Sequence, residues 1–341
     1  VSDVRARLTG AAVHLPERWI GMAEREAGIA AASAPFAPPP GLITQLTGVE
    51  GVHVAAPDQQ ASDLAVCAAR KVLADTGAQP ADIDLLLFAA SSQDMIEPAT
   101  SHIVAAKLGL SCPVFDVKNA CNSVLNALEV AQALISAHRY RTVLITCGEV
   151  PSTAVRMRVP DAAAFTRAFP AYGFSDAGAA LLVTAGPDGP DAPGVLHCDF
   201  AADSRAWQAA TLRYGGSLDL REQDDEHRYF RMDGVHLRSA LRSLAPRLRA
   251  LLDALELSVT DFAFVGVHQV AVGDIGTLCT LTGLPEDRLV VTLPRHGNVA
   301  SASLPLQLVR ALETGKAHPG DLIALLGLAA GSSAGLVVAR L

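Results

Sequence analysis

Asp84-Leu-Leu-Leu-Phe-Ala-Ala-Ser91 and Asp261-Phe-Ala-Phe-Val-Gly-Val-His268 share one design: an acidic residue, an apolar run, and a polar side chain at the far end. Apolar runs of this length between helical stretches read as strands buried on both faces of a sheet. Their surroundings repeat as well. A helical stretch precedes each, Ser62–Thr76 in one case and about 235–255 in the other, with Ser62-Asp63 read as the first helix's cap. After each come Leu108-Gly-Leu110 or Thr282-Gly-Leu284, a strand around Val114 or over Leu289–Leu293, and a polar turn at Cys121 or at Arg295-His-Gly-Asn298. Ser91 stands 30 residues before Cys121 (121 − 91), as His268 does before Asn298 (298 − 268). Arg141–Gly148 and Asp321–Gly327 extend the match.

Two successive copies with matching offsets imply an internal duplication. Strands alternating with helices make each copy an α/β unit with a mostly parallel sheet. The expected halves are 1–185 and 186–341, linked by the Pro- and Gly-rich stretch Gly186–Gly194. Residues 5–13 read as a first strand, Ala31–Pro40 as a loop, and Ser204–Arg231 as a polar surface excursion. Active sites of such sheets gather at the carboxyl ends of strands. Cys121, His268 and Asn298 each occupy such an end.

The chain has 341 residues, half of them apolar, which is enough for a sizeable core. A net charge of −8 argues against a general nucleic-acid or membrane binder. Val1–Arg7 lacks the apolar core of a secretion signal, so a cytoplasmic protein is expected. The six cysteines form no CxxC pair, which suits free thiols and gives no zinc signature. Leu322–Ala339 is uncharged and long enough on paper to span a bilayer, but Gly327–Gly335 interrupts it. Two short strands, Leu322–Leu326 and Leu336–Val338, fit better.

In Phe115-Asp-Val-Lys-Asn-Ala-Cys121, a strand ends in a tight turn that delivers a thiol to the mouth of a helix. The helix dipole and free N–H groups there favour thiolate. A thiolate, an imidazole and an amide in one pocket suit attack on a carbonyl with stabilisation of charge developing on oxygen.

Asp116-Val-Lys-Asn-Ala-Cys121, His268-Gln269, Arg295-His-Gly-Asn298-Val-Ala-Ser-Ala-Ser303, Gly173-Phe-Ser-Asp-Ala-Gly-Ala179 and the closing glycine-rich turn together resemble the thiolase superfamily, in its ketoacyl synthase III branch. That resemblance implies a duplicated five-layer αβαβα thiolase fold, a homodimer, and carbon–carbon bond formation between thioesters on coenzyme A or acyl carrier protein. It implies no metal or organic cofactor. Cys121, His268 and Asn298 become the catalytic set, with backbone N–H groups of Cys121 and Ala330 as oxyanion hole. Arg238 and Arg242, on one helical face with Arg156, Arg158 and Arg167 as further basic residues, become a patch for an acidic carrier protein.

Several positions depart from the branch. Leu42 and Leu46 stand where its housekeeping members carry Trp and Arg for the coenzyme A adenine. His268-Gln-Val-Ala271 replaces His-Gln-Ala-Asn, and a following basic residue is lost near Gly273. These changes imply a specialised pathway supplied by a carrier protein. Ser91-Ser-Gln-Asp-Met-Ile-Glu-Pro98 is similar to the loop of thiolases that join two fatty acyl groups head to head, which implies that Glu97 acts as a base in the partner subunit's site. The alternative keeps the fold but passes the acyl group from Cys121 to an alcohol or amine. A papain-like hydrolase also uses Cys, His and Asn, but the duplication argues against it.

Overall fold

The computed structural model describes residues 4–187, 189, 191–222, 224–234, 246 and 249–341. In chain order its strands are β1 (Val4–His14), β2 (Trp19–Gly21), β3 (Gly51–His53), β4 (Leu85–Ala89), β5 (Val114–Val117), β6 (Thr142–Glu149), β7 (Ala177–Pro187), β8 (Gly194–Ala202), β9 (Ala210–Thr211), β10 (Arg231–Met232), β11 (Phe264–Val267), β12 (Leu322–Ala329) and β13 (Ser333–Arg340). One sheet runs β1-β7-β6-β4-β5 and a second runs β8-β13-β12-β11. In the first, the β1–β7 and β7–β6 pairings are antiparallel, and β6–β4 and β4–β5 are parallel. The second repeats this sequence of pairings through β8–β13, β13–β12 and β12–β11, and a parallel bridge from Val265 to Leu289 stands where β5 stands in the first.

The duplication is therefore present in four strands of each sheet, with the single bridge in place of the fifth, but the sheets are mixed rather than mostly parallel. The tight turn Ala330–Ser332 joins β12 to β13, and so short a connection permits only an antiparallel pair. The uncharged run ends as this hairpin, its strands longer than the glycine positions suggested. No helix among the described residues is long and apolar enough to cross a membrane. The expected strand Leu289–Leu293 does not form. A 3-10 turn (Glu286–Arg288), the single bridge at Leu289 and a short helix (Leu293–His296) replace it. The side chain of Gln269 occupies the backbone groups a neighbouring strand would need, accepting from the N–H groups of Thr292 (3.0 Å) and Leu293 (3.1 Å) and donating to the carbonyl of Val290 (2.8 Å).

Five layers result. Helices Ser123–Ser136 and Ser303–Glu313 lie between the sheets and touch both. Leu125, Leu128, Leu304, Leu306 and Leu308 fill that layer without exposure to water. Helices Ala61–Thr76 and Thr100–Leu108 cover the outer face of the first sheet. Val272–Thr282 and residues 249–254 cover that of the second through Ile275, Leu278, Leu251 and Leu252. The rest of the expected helix over 235–255 lies outside the described residues. β7 continues to Pro187, paired with Val4, and β8 begins at Gly194, which shortens the expected link to residues 188–193.

Helix Ala61–Thr76 has Gln60 as its N-cap, and of the expected Ser62-Asp63 pair Asp63 takes part in the cap, its Oδ2 accepting from the Gln60 N–H at 2.8 Å in a capping box. Its first turns lie directly on the sheet. Gly148 and Gly178 are cross-strand partners there. A Cβ at the first would meet the carbonyl of Ala61, and at the second that of Leu64. Gly148→Ala or Gly178→Ala must therefore lift the helix. Each is expected to destabilise the fold by about 1–3 kcal/mol, seen as a lower urea midpoint with unchanged slope.

Candidate active site

The nucleophile turn occupies the four residues after β5 and is held by hydroxyls rather than by helix geometry. Ala120 sits at φ +45°, in the left-handed region that alanine disfavours. Its repeat equivalent, directly before Asn298, is Gly297 at φ +63°. The carbonyl of Ala120 accepts from Ser123 Oγ (2.7 Å) and from Ser301 Oγ in the other half (2.6 Å). Asn122, fully buried, donates through Nδ2 to Ser333 Oγ at 3.1 Å. Both halves thus grip the turn that presents Cys121.

His268 follows β11, and its N–H donates to the carbonyl of Leu326 at 2.9 Å. The buried amide of Gln307 fixes the preceding residue from both sides, accepting from the N–H of Val267 (3.0 Å) and donating to its carbonyl (2.8 Å). Burial lowers the His268 pKa to about 4, so the ring is neutral at physiological pH. Its Nδ1 is buried without a hydrogen-bond partner. Asn298 donates its N–H to the carbonyl of Gly173 (2.8 Å) and accepts at its own carbonyl from the N–H of Ser175 (3.0 Å). Its Oδ1 accepts from the N–H of Ala300 at 3.0 Å. That bond settles which way the amide points and leaves the NH2 group to the cavity.

Cys121, His268, Asn298 and Ala330 all line one cavity of about 630 Å³. Ala154, Pro170 and Phe174 form part of its wall. The segment expected as a surface excursion is instead its roof, contributing Ala209, Leu212, Tyr214, Phe230 and Met232. Arg156 holds the roof down through an ion pair with Glu226 (2.6 Å), which Arg231 also engages (2.9 Å). Polar composition hid this, because the apolar residues of the roof are scattered singly between charges.

Glu149, at the end of β6, is the functional residue that sequence reasoning missed. It is fully buried. Oε1 accepts from the N–H of Ser91 (2.8 Å) and of Ser301 (3.3 Å), and Oε2 from Ser91 Oγ (2.6 Å), Ser92 N–H (3.0 Å) and Ser92 Oγ (2.8 Å). A lone carboxylate closing an otherwise apolar strand was the available signal.

Other expected site residues lie elsewhere. Glu97 is exposed and lies off the cavity lining of its own chain, although Met95 and Ile96 of the same loop border it. Leu42 and Leu46 belong to the short helix Leu42–Thr47, away from the lining. Arg238 and Arg242 lie outside the described residues.

The expectation of a thiolate at rest is overturned. Cys121 borders the cavity, but the protein packed around it removes water, and with Glu149 nearby its pKa rises to about 12. The helix begins only at Ser123, and desolvation outweighs its dipole. Iodoacetamide labelling of Cys121 in the free protein, followed by peptide mass spectrometry, is expected to rise with pH without a plateau through pH 9.5. Acid stability follows from the imidazoles. His296, next to His53 (Nδ1 to Nε2, 3.1 Å), is also lowered to about 4, mainly by burial. The unfolded chain takes up these protons at the ordinary value of 6.5 and the folded protein only near 4. Stability is therefore full above about 6.5 and falls between about 6.5 and 4, and His296→Phe should flatten that fall in melting curves.

The profile of the 3-oxoacyl-[acyl-carrier-protein (ACP)] synthase III family matches residues 115–204, and that of the family's C-terminal part matches residues 252–341. A beta-ketoacyl-[acyl-carrier-protein] synthase III of Cereibacter sphaeroides is 32% identical over 99% of both chains. Among solved structures, the 3-oxoacyl-(acyl carrier protein) synthase III FabH of Pseudomonas aeruginosa superposes with TM-score 0.83 at 26% identity, covering 98% of each chain. OleA of Xanthomonas campestris, at 23% identity, shares the fold with TM-score 0.88 over 99% of this chain and 98% of its own. With the duplicated five-layer architecture, these similarities place the chain in the 3-oxoacyl-[acyl-carrier-protein] synthase III family, as a thiolase-fold condensing acyltransferase.

Proposed function

We propose that the protein forms an acyl thioester on Cys121 and condenses it with a second acyl or malonyl thioester, in a specialised pathway of fatty acid or polyketide type. The observation that carries this reading is the orientation of Asn298: with Oδ1 held by the Ala300 N–H, its NH2 faces the cavity beside a neutral His268.

In the first step Cys121 Sγ bonds to the carbonyl carbon of the donor thioester and the bond to the carrier's sulfur breaks. The thiol proton passes by way of His268 to the departing carrier thiolate. A thiol held near pKa 12 ionises only as the new bond forms, so the step relies on stabilising the tetrahedral oxyanion, by the N–H groups of Cys121 and Ala330. In the second step the incoming thioester places its carbonyl oxygen between His268 and the Asn298 NH2. These two donors stabilise the enolate, which forms by loss of carbon dioxide or of an α-proton. The enolate carbon bonds to the acyl carbon, and Cys121 is released and reprotonated.

The two halves, 1–185 with the nucleophile and 186–341 with its partners, act as one unit in this scheme. A homodimer belongs to the same proposal. Glu97, exposed in the single chain beside exposed Met95 and Ile96, enters the second copy's cavity as the base for α-proton removal. Leu42 and Leu46 offer no cation or aromatic face to an adenine, which favours acyl groups arriving on a carrier protein, with Arg238 and Arg242 as its docking residues.

Incubation with acyl thioesters of varied length, with and without malonyl thioester, tests the scheme by intact-protein and product mass spectrometry. The expected result is an acyl adduct on Cys121 that becomes a β-keto product. An adduct released only to an added alcohol or amine would replace condensation by transfer, and no adduct from any thioester would sink the reading. Asn298→Ala is expected to keep the adduct and slow condensation about 10²- to 10³-fold. Glu97→Ala should abolish condensation of two acyl thioesters, and an unchanged rate removes Glu97 from the mechanism.

A further inference from the structure

Lys118 lies three residues before the nucleophile, at the rim of the cavity, and the scheme above gives it no task. It is the one lysine or arginine on that lining among the described residues. Its ammonium donates to Gln93 Oε1 at 2.9 Å and makes no ion pair. The carboxylates nearest in charge are already engaged. Glu149 is held by its serines, and Asp116 accepts from the N–H groups of Thr100 (3.0 Å) and Ser101 (2.8 Å). Asp94, the acid on the same stretch of lining, accepts from the N–H and Oγ of Ser62. Lys118 and Gln93 are both exposed at the rim, and of the three N–H groups of the ammonium one is bonded to Gln93, which leaves two without a protein acceptor among the described residues.

Removing water lowers the pKa of Lys118 even though Glu149 and Asp116 pull it the other way. Lys118 is exposed at this rim, and a cation there without an ion pair attracts an anionic ligand more than a neutral one. The reacting carbonyl is not that anion, because its charge develops at the N–H groups of Cys121 and Ala330 during acylation and at the Asn298 and His268 donors during condensation.

We propose that Lys118, oriented by Gln93, binds a carboxylate carried on the acyl group, so that the preferred acyl donor is a thioester of a dicarboxylic acid. This rests on the acylation of Cys121 proposed above. The carboxylate is one the product retains. A carboxylate that must leave as carbon dioxide loses its ion pair on the way to the transition state, so pairing it would hold back the reaction. The donor therefore acylates Cys121 through its thioester end while its free carboxylate sits against Lys118. In that exchange the Sγ–acyl bond forms, the carrier's carbon–sulfur bond breaks, the thiol proton goes to the carrier's sulfur, and the far carboxylate is unchanged.

The same cation could instead hold the phosphate of the carrier's arm. Thioesters of N-acetylcysteamine, which lack phosphate, separate the two sources. Rates of Cys121 acylation would be compared for succinyl- and glutaryl-N-acetylcysteamine and for their neutral butanoyl and pentanoyl counterparts, in the wild type and in Lys118→Gln and Lys118→Glu. The wild type is expected to favour the carboxylated donor. The ratio of kcat/KM for carboxylated over neutral donors should fall about ten- to hundredfold in Lys118→Gln, the range of a charge-assisted hydrogen bond, and further in Lys118→Glu. The change should reside in KM. Equal losses on both donors would overturn the proposal and give Lys118 a general role, such as pairing with Glu97 of a second copy. A Lys118 effect confined to coenzyme A thioesters would assign the cation to phosphate. If no thioester acylates Cys121 in the wild type, the condensing scheme itself fails, an outcome distinct from acylation without preference.

Discussion

Burying a carboxylate costs several kcal/mol unless hydrogen bonds replace its lost water, and the five that Glu149 accepts come from two separate pieces of chain. Ser91 and Ser92 follow β4, Glu149 ends β6, and Ser301 belongs to the other half of the molecule. Ser301 in turn grips the carbonyl of Ala120, whose left-handed conformation aims the next residue, Cys121, into the cavity. If the carboxylate were lost, five donors would be left to find new partners, among them the N–H of Ser301, whose hydroxyl grips the turn. The nucleophile turn is thus braced by an acid that does not line the cavity.

The same acid raises the Cys121 pKa, so the turn trades reactivity at rest for placement. That exchange suits the proposed scheme, whose central intermediate is a neutral thioester. Surroundings that disfavour thiolate disfavour an acyl thioester far less, because no charge is buried once the acyl group is attached. Rate then has to come from donors that act on charge only while it exists, such as the neutral ring of His268 and the fixed amide of Asn298. Cationic donors there would attract any anion; neutral ones discriminate in favour of an oxygen that is becoming negative.

The duplication was legible because it is written in spacing: the strand offsets and the interval from Ser91 to Cys121 and from His268 to Asn298 survive in one sequence. So was the convergence of Cys121, His268 and Asn298 on one pocket. What escaped depends on side chains that replace backbone partners across long sequence distances. Gln269 bonds three backbone positions over residues 290–293, where periodicity implied a strand. Gln307 secures Val267 in the same manner. The Cys121 thiol was misjudged because dipole arguments consider the local helix alone, while desolvation comes from everything packed around the turn. The roof escaped because it has no counterpart in the first half, so the repeat that decoded the rest gave no guide to it.

That asymmetry separates the chemistry from the choice of substrate. Every residue of the proposed triad sits at a repeat-equivalent position, and bonds that cross between the halves hold the Cys121 turn and Asn298. The walls that meet the acyl group come instead from the unrepeated connections, residues 150–176 and 203–233, and from the rim at Gln93 and Lys118. Among the ties that fasten the roof are an ion-pair cluster around Glu226, the bond from the Phe230 N–H to the Ala154 carbonyl (3.1 Å) and that from the Asp203 N–H to the Ser332 carbonyl (3.1 Å). Surface ion pairs contribute little stability. Substitutions in the roof therefore leave the catalytic turn's own ties intact, since none of its bonds runs through that segment. A duplicated scaffold with its site at the repeat axis can in this way change its acyl group without rebuilding its reaction.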